Sequence, residues 1–202
     1  MRKYSPSFDG VQGPGADADA GADNAVRMAA TPIIVQNGFL TRAECSEIVA
    51  RAEAQEWHQA RINVGDGEEE LDLEERRHMR TYLDDAALAD VVSKRLQPRV
   101  PHAFVNPRFR VLKYAPGDYF RPHYDGEQTH MGGVSTHTVL VYLCDMPHTG
   151  ATHFCDLAFR VFPAMGCAVV FKQDDHLHEG EPPTTGTKLV MRTDLMQLFQ
   201  RS

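Results

Sequence analysis

Apolar positions along the chain change their period near its middle. Cys45, Ile48, Val49 and Ala52 recur at i, i+3, i+4 and i+7, the spacing of one buried helical face. Thr41, with Glu44 three residues on, supplies a capping box at the start of that helix. A second helix is predicted from about Asp84, with Leu88, Val91, Val92 and Leu96 on one face and Pro98 as its stop. Ahead of both, Pro32-Ile33-Ile34-Val35 is a short β-branched run closed by Asn37-Gly38, where ordered chain is expected to begin. Beyond Pro107 the apolar residues alternate or cluster in short runs between turn residues. RFRVLKY precedes Ala115-Pro116-Gly117, STHTVLVYLCD precedes Pro147-His148-Thr149-Gly150, and GCAVVF and KLVMRTDLMQLF follow. Helices first and many short strands afterwards predict an α+β domain, its β part a sandwich or barrel with the helices packed outside. A jelly roll fits the strand number. Residues 1–30, rich in Gly, Ala, Asp and Pro, bury too little apolar surface to offset their ordering entropy. They are expected as a disordered arm, leaving 31–202 as one domain without internal repeats.

Composition excludes several classes. At 42% hydrophobic and 24% charged residues the chain suits a single globular domain. No stretch approaches the roughly 20 apolar residues of a membrane helix, and MRKYSPSFDGVQGPG holds no apolar run to act as a signal peptide. A cytoplasmic location without a membrane partner is the expectation. Cys45, Cys144, Cys155 and Cys167 lie far apart with no CxxC pair, which argues against a zinc knuckle and a disulfide framework and for four reduced thiols. The net charge of −7 is local: residues 65–75 hold seven acids and no base, and the rest balances at 21 acids against 21 bases. Neither part supplies the basic stripe of a nucleic-acid binder. The acidic run reads as a solvated loop.

Candidate chemistry centres on Tyr119-Phe120-Arg121-Pro122-His123-Tyr124-Asp125-Gly126. On an extended segment His123 and Asp125 point to the same side, roughly 6–7 Å apart at the backbone, so imidazole and carboxylate reach one cation. A second histidine would complete the two-His, one-carboxylate face of non-haem iron(II), which leaves positions open for oxygen and co-substrate. With ten histidines in the chain, HxD alone is weak evidence. The far end adds to it: His176-Leu177-His178-Glu179-Gly180 is followed, ten positions after His178, by Lys188 entering an apolar strand. A cation inside a barrel needs an anion to compensate its desolvation, and a dicarboxylate would serve. Alternation puts Lys188, Val190 and Arg192 on one face.

With HxD, a distal histidine, and a lysine ten residues later leading into LVMRTDLMQ, the chain resembles the 2-oxoglutarate and iron(II)-dependent dioxygenases of the prolyl 4-hydroxylase-like branch. The likeness runs from Phe39-Leu40-Thr41-Arg42-Ala43-Glu44-Cys45 to Gln197. Asn106-Pro107-Arg108-Phe109-Arg110 precedes Lys113-Tyr114-Ala115-Pro116-Gly117, Thr138 to Leu143 follows HxD, and Gly150-Ala151-Thr152-His153-Phe154 is similar to a Gly-x-Thr-x-Phe element. Val161-Phe162-Pro163 and Gly166 then lead to Phe171. The resemblance implies a double-stranded β-helix, a jelly-roll and cupin-like fold with flanking helices. It implies Fe(II) on His123, Asp125 and His178, and 2-oxoglutarate on Lys188 with Tyr114, Thr138 and Tyr142 as further contacts. O2 is then the other co-substrate and ascorbate a candidate reductant. His176 is set aside because ten positions beyond it stands Gly186, which has no side chain for a carboxylate.

The implied activity is hydroxylation of an unactivated C–H coupled to decarboxylation of 2-oxoglutarate to succinate and CO2. The substrate is a small molecule or a protein side chain, with Phe120, Arg192, Arg80 and Tyr82 as candidate pocket residues. Two departures bear on it. Peptidyl-proline hydroxylases often carry tyrosine where this chain has Phe120, and Arg76-Arg77-His78-Met79-Arg80 only partly resembles an Arg-Asn-Asn-type stretch of near relatives. A catalytically silent cupin-like metal-binding module and a nucleic-acid demethylase are the alternatives. The sequence leaves substrate and oligomeric state open.

Overall fold

The structure is a computed structural model describing residues 24–26, 32–65, 68–97, 100, 104–130 and 132–199. Of the arm expected over 1–30, residues 24–26 form a strand, Asn24–Val26, paired with Ile33–Val35. The rest of that arm, and Pro98, lie outside the described residues.

Every strand pairing is antiparallel. The major sheet runs in the order Asn24–Val26, Ile33–Gln36, Ala168–Lys172, Gly133–Tyr142, Lys188–Leu198, Arg108–Tyr114, Met79–Asp84, His58–Gln59. The minor sheet runs Phe159–Val161, Thr152–Phe154, His178–Gly180, Phe120–His123. Period-two alternation gives the major sheet two apolar faces. Leu140, Tyr142, Val169, Phe171 and Val190 pack inward on Phe154 and Val161 of the minor sheet. Val139, Val141, Val170 and Met191 pack outward on the helices Arg42–Glu53 and Ala86–Leu96 through Cys45, Ile48, Ala52, Ala89, Val92 and Leu96. This is the expected jelly roll with two flanking helices.

Local chemistry fixes both helices. The Thr41 side chain accepts from the Glu44 backbone N–H while Glu44 accepts from the Thr41 N–H, a complete capping box. The second helix starts later than its pattern predicts. Asp84 ends the strand Met79–Asp84, and Asp85 caps the helix by accepting from the Leu88 N–H at 2.8 Å. The buried stripe is Ala89, Val92 and Leu96, with Leu88 and Val91 half-buried beside it.

The acidic run is the main correction. It is not a free loop, because Ile62–Gly65 and Glu68–Glu70 pair as a hairpin. The Asp72 side chain closes the next turn by accepting from the Glu74 and Glu75 N–H groups. Glu69 reaches Arg80 at 2.8 Å, so an ion pair ties the hairpin to the body of the sheet.

Candidate active site

The strand Phe120–His123 is the edge of the minor sheet and pairs with His178–Gly180 in a register that sets His123 opposite His178. His123 Nδ1 lies 2.7 Å from the Arg121 carbonyl, and His178 Nδ1 lies 3.0 Å from the His176 carbonyl. A carbonyl only accepts, so each Nδ1 carries the proton and each Nε2 presents a lone pair. Both face Asp125: His123 Nε2 is 3.7 Å from Oδ1 and His178 Nε2 is 3.6 Å from Oδ2. Ligand atoms of the three residues lie within 4.8 Å of one another. Burial pushes His178 down to about 4, which keeps its ring neutral. Burial opposes the charge of Asp125, but the Arg192 guanidinium is the strongest influence against it, and the carboxyl is held well below the usual carboxylate range. Two neutral imidazole nitrogens and one anionic oxygen converging on a point are the donor set for a divalent first-row metal.

The carboxylate is oriented by a network from the major sheet. Arg192 Nη1 lies 2.7 Å from Asp125 Oδ1, and Thr138 Oγ1 donates to Oδ2 at 2.6 Å. Behind them Asp194 pairs with Arg110 and Arg192, and Gln173 donates to Asp194 and Thr138. Charge is thus distributed through hydrogen-bonded partners, the arrangement that makes buried ionic groups tolerable.

Lys188 stands apart from this network. It is 2% exposed, and its register partner on the neighbouring strand is Tyr114. Nζ lies 4.9 Å over the Tyr114 ring and donates to the Ala151 carbonyl at 3.3 Å. No carboxylate of the described residues forms an ion pair with it, and burial lowers its pKa to about 8. His78 stacks on the Tyr114 ring at 4.4 Å.

One cavity is lined by His123, Asp125, His178, Lys188, Tyr114, Phe120, Arg192 and Arg80, all singled out from the sequence. Three other expectations fall elsewhere. Thr138 lies behind the carboxylate and touches Asp125 rather than the cavity. Tyr142 is fully buried off the cavity wall; its hydroxyl donates to Thr152 at 2.8 Å and so fixes a residue that does line the wall. Tyr82 lines the adjoining openings, with the Arg80 and Arg108 guanidinium groups 5.0 and 4.4 Å over its ring. His176 is buried against Phe154 and Phe171, and contributes its carbonyl, not its ring, to the centre. Sequence reasoning missed Arg76, Arg110, His78 and Gln173 as parts of the site. Only Arg76 and His78 carried a signal, their place beside the partial Arg-Asn-Asn-type match.

Residues 109–193 match the family model of the 2OG-Fe(II) oxygenase superfamily. No curated protein matches the chain in sequence. Similar folds include the viral collagen prolyl hydroxylase vCPH of Paramecium Bursaria Chlorella virus-1 in its 2OG complex, with TM-score 0.63 and 20% identity over 82% of this chain and 96% of that one. A Pseudomonas putida prolyl-4-hydroxylase has TM-score 0.61 and 19% identity over 83% and 93% of the two chains. A Trichoplax adhaerens prolyl hydroxylase, solved with a hypoxia inducible factor peptide fragment, has TM-score 0.62 and 14% identity over 82% and 83%.

Proposed function

We propose that this chain, a 2OG-Fe(II) oxygenase with the prolyl 4-hydroxylase-like fold, holds its iron on His123, Asp125 and His178 and anchors 2-oxoglutarate on Lys188. Iron and 2-oxoglutarate, when bound, supply O2 activation coupled to decarboxylation to succinate and CO2, and hydroxylate an unactivated C–H of the substrate.

The observation that carries the residue assignment is a three-donor face together with a buried ammonium that has no acid of its own. A lone buried cation is costly, and a dicarboxylate reaching Lys188 would neutralise it by a charge-assisted hydrogen bond. The carbonyls of Arg121 and His176 fix the tautomers of the two histidines. Arg192 and Thr138 keep Asp125 ionised and oriented. Tyr114, Leu112, Leu140 and Val190 wall the cavity and exclude water from the reacting C–H. Thr152, fixed by Tyr142, is a further contact for the co-substrate. A silent binding module would gain nothing from an unpaired buried lysine, and the charge balance disfavours a nucleic-acid substrate. A small molecule or a protein side chain is the substrate class, with the cytoplasm, where four free thiols stay reduced, as the location. No helix of the described residues is long and apolar enough to cross a membrane.

Anaerobic titration with Fe(II) and then 2-oxoglutarate tests the assignment. A weak visible charge-transfer band should appear only when both are present, and admitting O2 should yield succinate. A protein that binds neither, or binds metal without producing the band or succinate, would sink the reading.

A further inference from the structure

The cavity holds more positive charge than its own acids answer. Among the arginines that line it, Arg192 pairs with Asp125 and Asp194, Arg110 with Asp194, and Arg80 with Glu69. Arg76 is different. Its guanidinium lies 3.8 Å over the Phe120 ring, and Phe120 in turn stacks on the metal-site ring of His123 at 3.5 Å. Nη1 donates to the Arg61 carbonyl, Nε is buried with no partner, and no carboxylate of the described residues forms an ion pair with it. Burial lowers its pKa to about 10, which leaves it charged at neutral pH. A guanidinium fork fits a planar carboxylate through two parallel hydrogen bonds, and here one of its donors is already desolvated.

We infer that the substrate is a small carboxylic acid, an amino acid or simple organic acid, whose carboxylate pairs with Arg76 while its target C–H faces the metal site. The inference rests on the iron and 2-oxoglutarate reading above and names the substrate class of that same site. Two observations favour a small monocarboxylate over a phosphate or a peptide. Glu69 already seats a carboxylate on Arg80 in this mouth, and Glu69 and Glu75 at the rim would repel a dianionic phosphate. The strands Ile62–Gly65 and Glu68–Glu70 are also fastened to the mouth, by Glu69 on Arg80 and, just ahead of the first strand, by the Arg61 carbonyl on Arg76, so that Arg61, Ile62 and Glu69 line the entrance a peptide would need.

The test is calorimetric titration of the protein loaded with Mn(II), which prevents turnover, and 2-oxoglutarate. The probes are the twenty free L-amino acids plus acetate, propionate and benzoate, each beside its carboxamide. At least one acid should bind, and its amide should bind at least tenfold more weakly. Arg76→Gln should weaken that acid by about 30-fold or more, Arg76→Lys should recover part of the loss, and Arg77→Gln, an exposed neighbour, should bind like the parent. Absence of binding by any acid, equal binding of acid and amide, or unchanged affinity in Arg76→Gln each overturns the inference. Failure to load Mn(II) and 2-oxoglutarate in the first place overturns the site reading instead, so the two are distinguishable.

Discussion

On the proposed assignment, a single buried charge at Lys188 links pH to both stability and co-substrate binding. Folding lowers its pKa from the ordinary 10.5 to about 8, so the unfolded chain holds this proton more tightly. The stability of the free protein should therefore rise as pH climbs through the window from about 8 to 10.5. Binding of 2-oxoglutarate needs the charged form. Its affinity should be greatest below about pH 8 and fall roughly tenfold per pH unit above it, as read by titration from neutral pH upward. Lys188→Ala should remove most of the affinity, flatten the profile and leave metal content intact; a profile that slopes alike in parent and variant would argue against the assignment. The paired histidines give a second contrast. His178→Ala should lose metal and abolish succinate formation, because two donors cannot complete the face. His176→Ala keeps the carbonyl that orients His178, so it should retain metal while losing about 2 kcal/mol of stability from the cavity left beside Phe154 and Phe171. Metal analysis and melting curves of both variants decide it. At this scale the residues that converge on the cavity were legible because HxD and the lysine spacing are short-range patterns. Arg110 was not, since an arginine in a strand gives no local sign of which side chain it will meet across the sheet.

Among elements, those governed by neighbours in sequence were legible and those governed by distant partners were not. The helix Arg42–Glu53 announced itself through a capping box and a helical stripe, both local. The strands Thr152–Phe154 and His178–Gly180 are three residues each, too short for a period, and exist because they pair with each other. The hairpin at the start of the acidic run has an all-acidic second strand, Glu68–Glu70, so that stretch resembles a loop, and cross-strand pairing with the Glu69–Arg80 bridge defines it. Gly166 shows how one element is fitted to another. It has φ +81, and a Cβ there would stand 2.0 Å from the Leu40 carbonyl oxygen, in a stretch where the Leu40 N–H donates to the Gly166 carbonyl at 3.0 Å. Gly166→Ala should therefore cost about 3 kcal/mol or more, from left-handed strain and the forced retreat of the chain entering the first helix. Denaturant unfolding measures this, and a loss below about 1 kcal/mol would show that the contact relaxes freely.

The whole molecule divides its labour between two sheets. The major sheet carries both apolar faces, the buried Lys188 and the network that orients Asp125; the minor sheet is small and supplies His123 and His178. His123 sits on the strand that ends the minor sheet, opposite His178, while Asp125 just beyond it is gripped by Thr138 and Arg192 of the major sheet. A cation bound by all three would act as a rivet, joining the end strands at the margin of the minor sheet to the body of the major one through Asp125. Metal occupancy then becomes mechanical as well as chemical, because binding to the native arrangement alone must shift the local opening equilibrium of that margin. Chelation should speed amide hydrogen exchange by about tenfold or more over 120–125 and 176–180 and leave 133–142 and 188–198 nearly unchanged. Uniform acceleration would mean instead that the metal supports the fold globally. The strand Phe120–His123 is, on this account, the first part of the barrel to come undone when its cation is withheld.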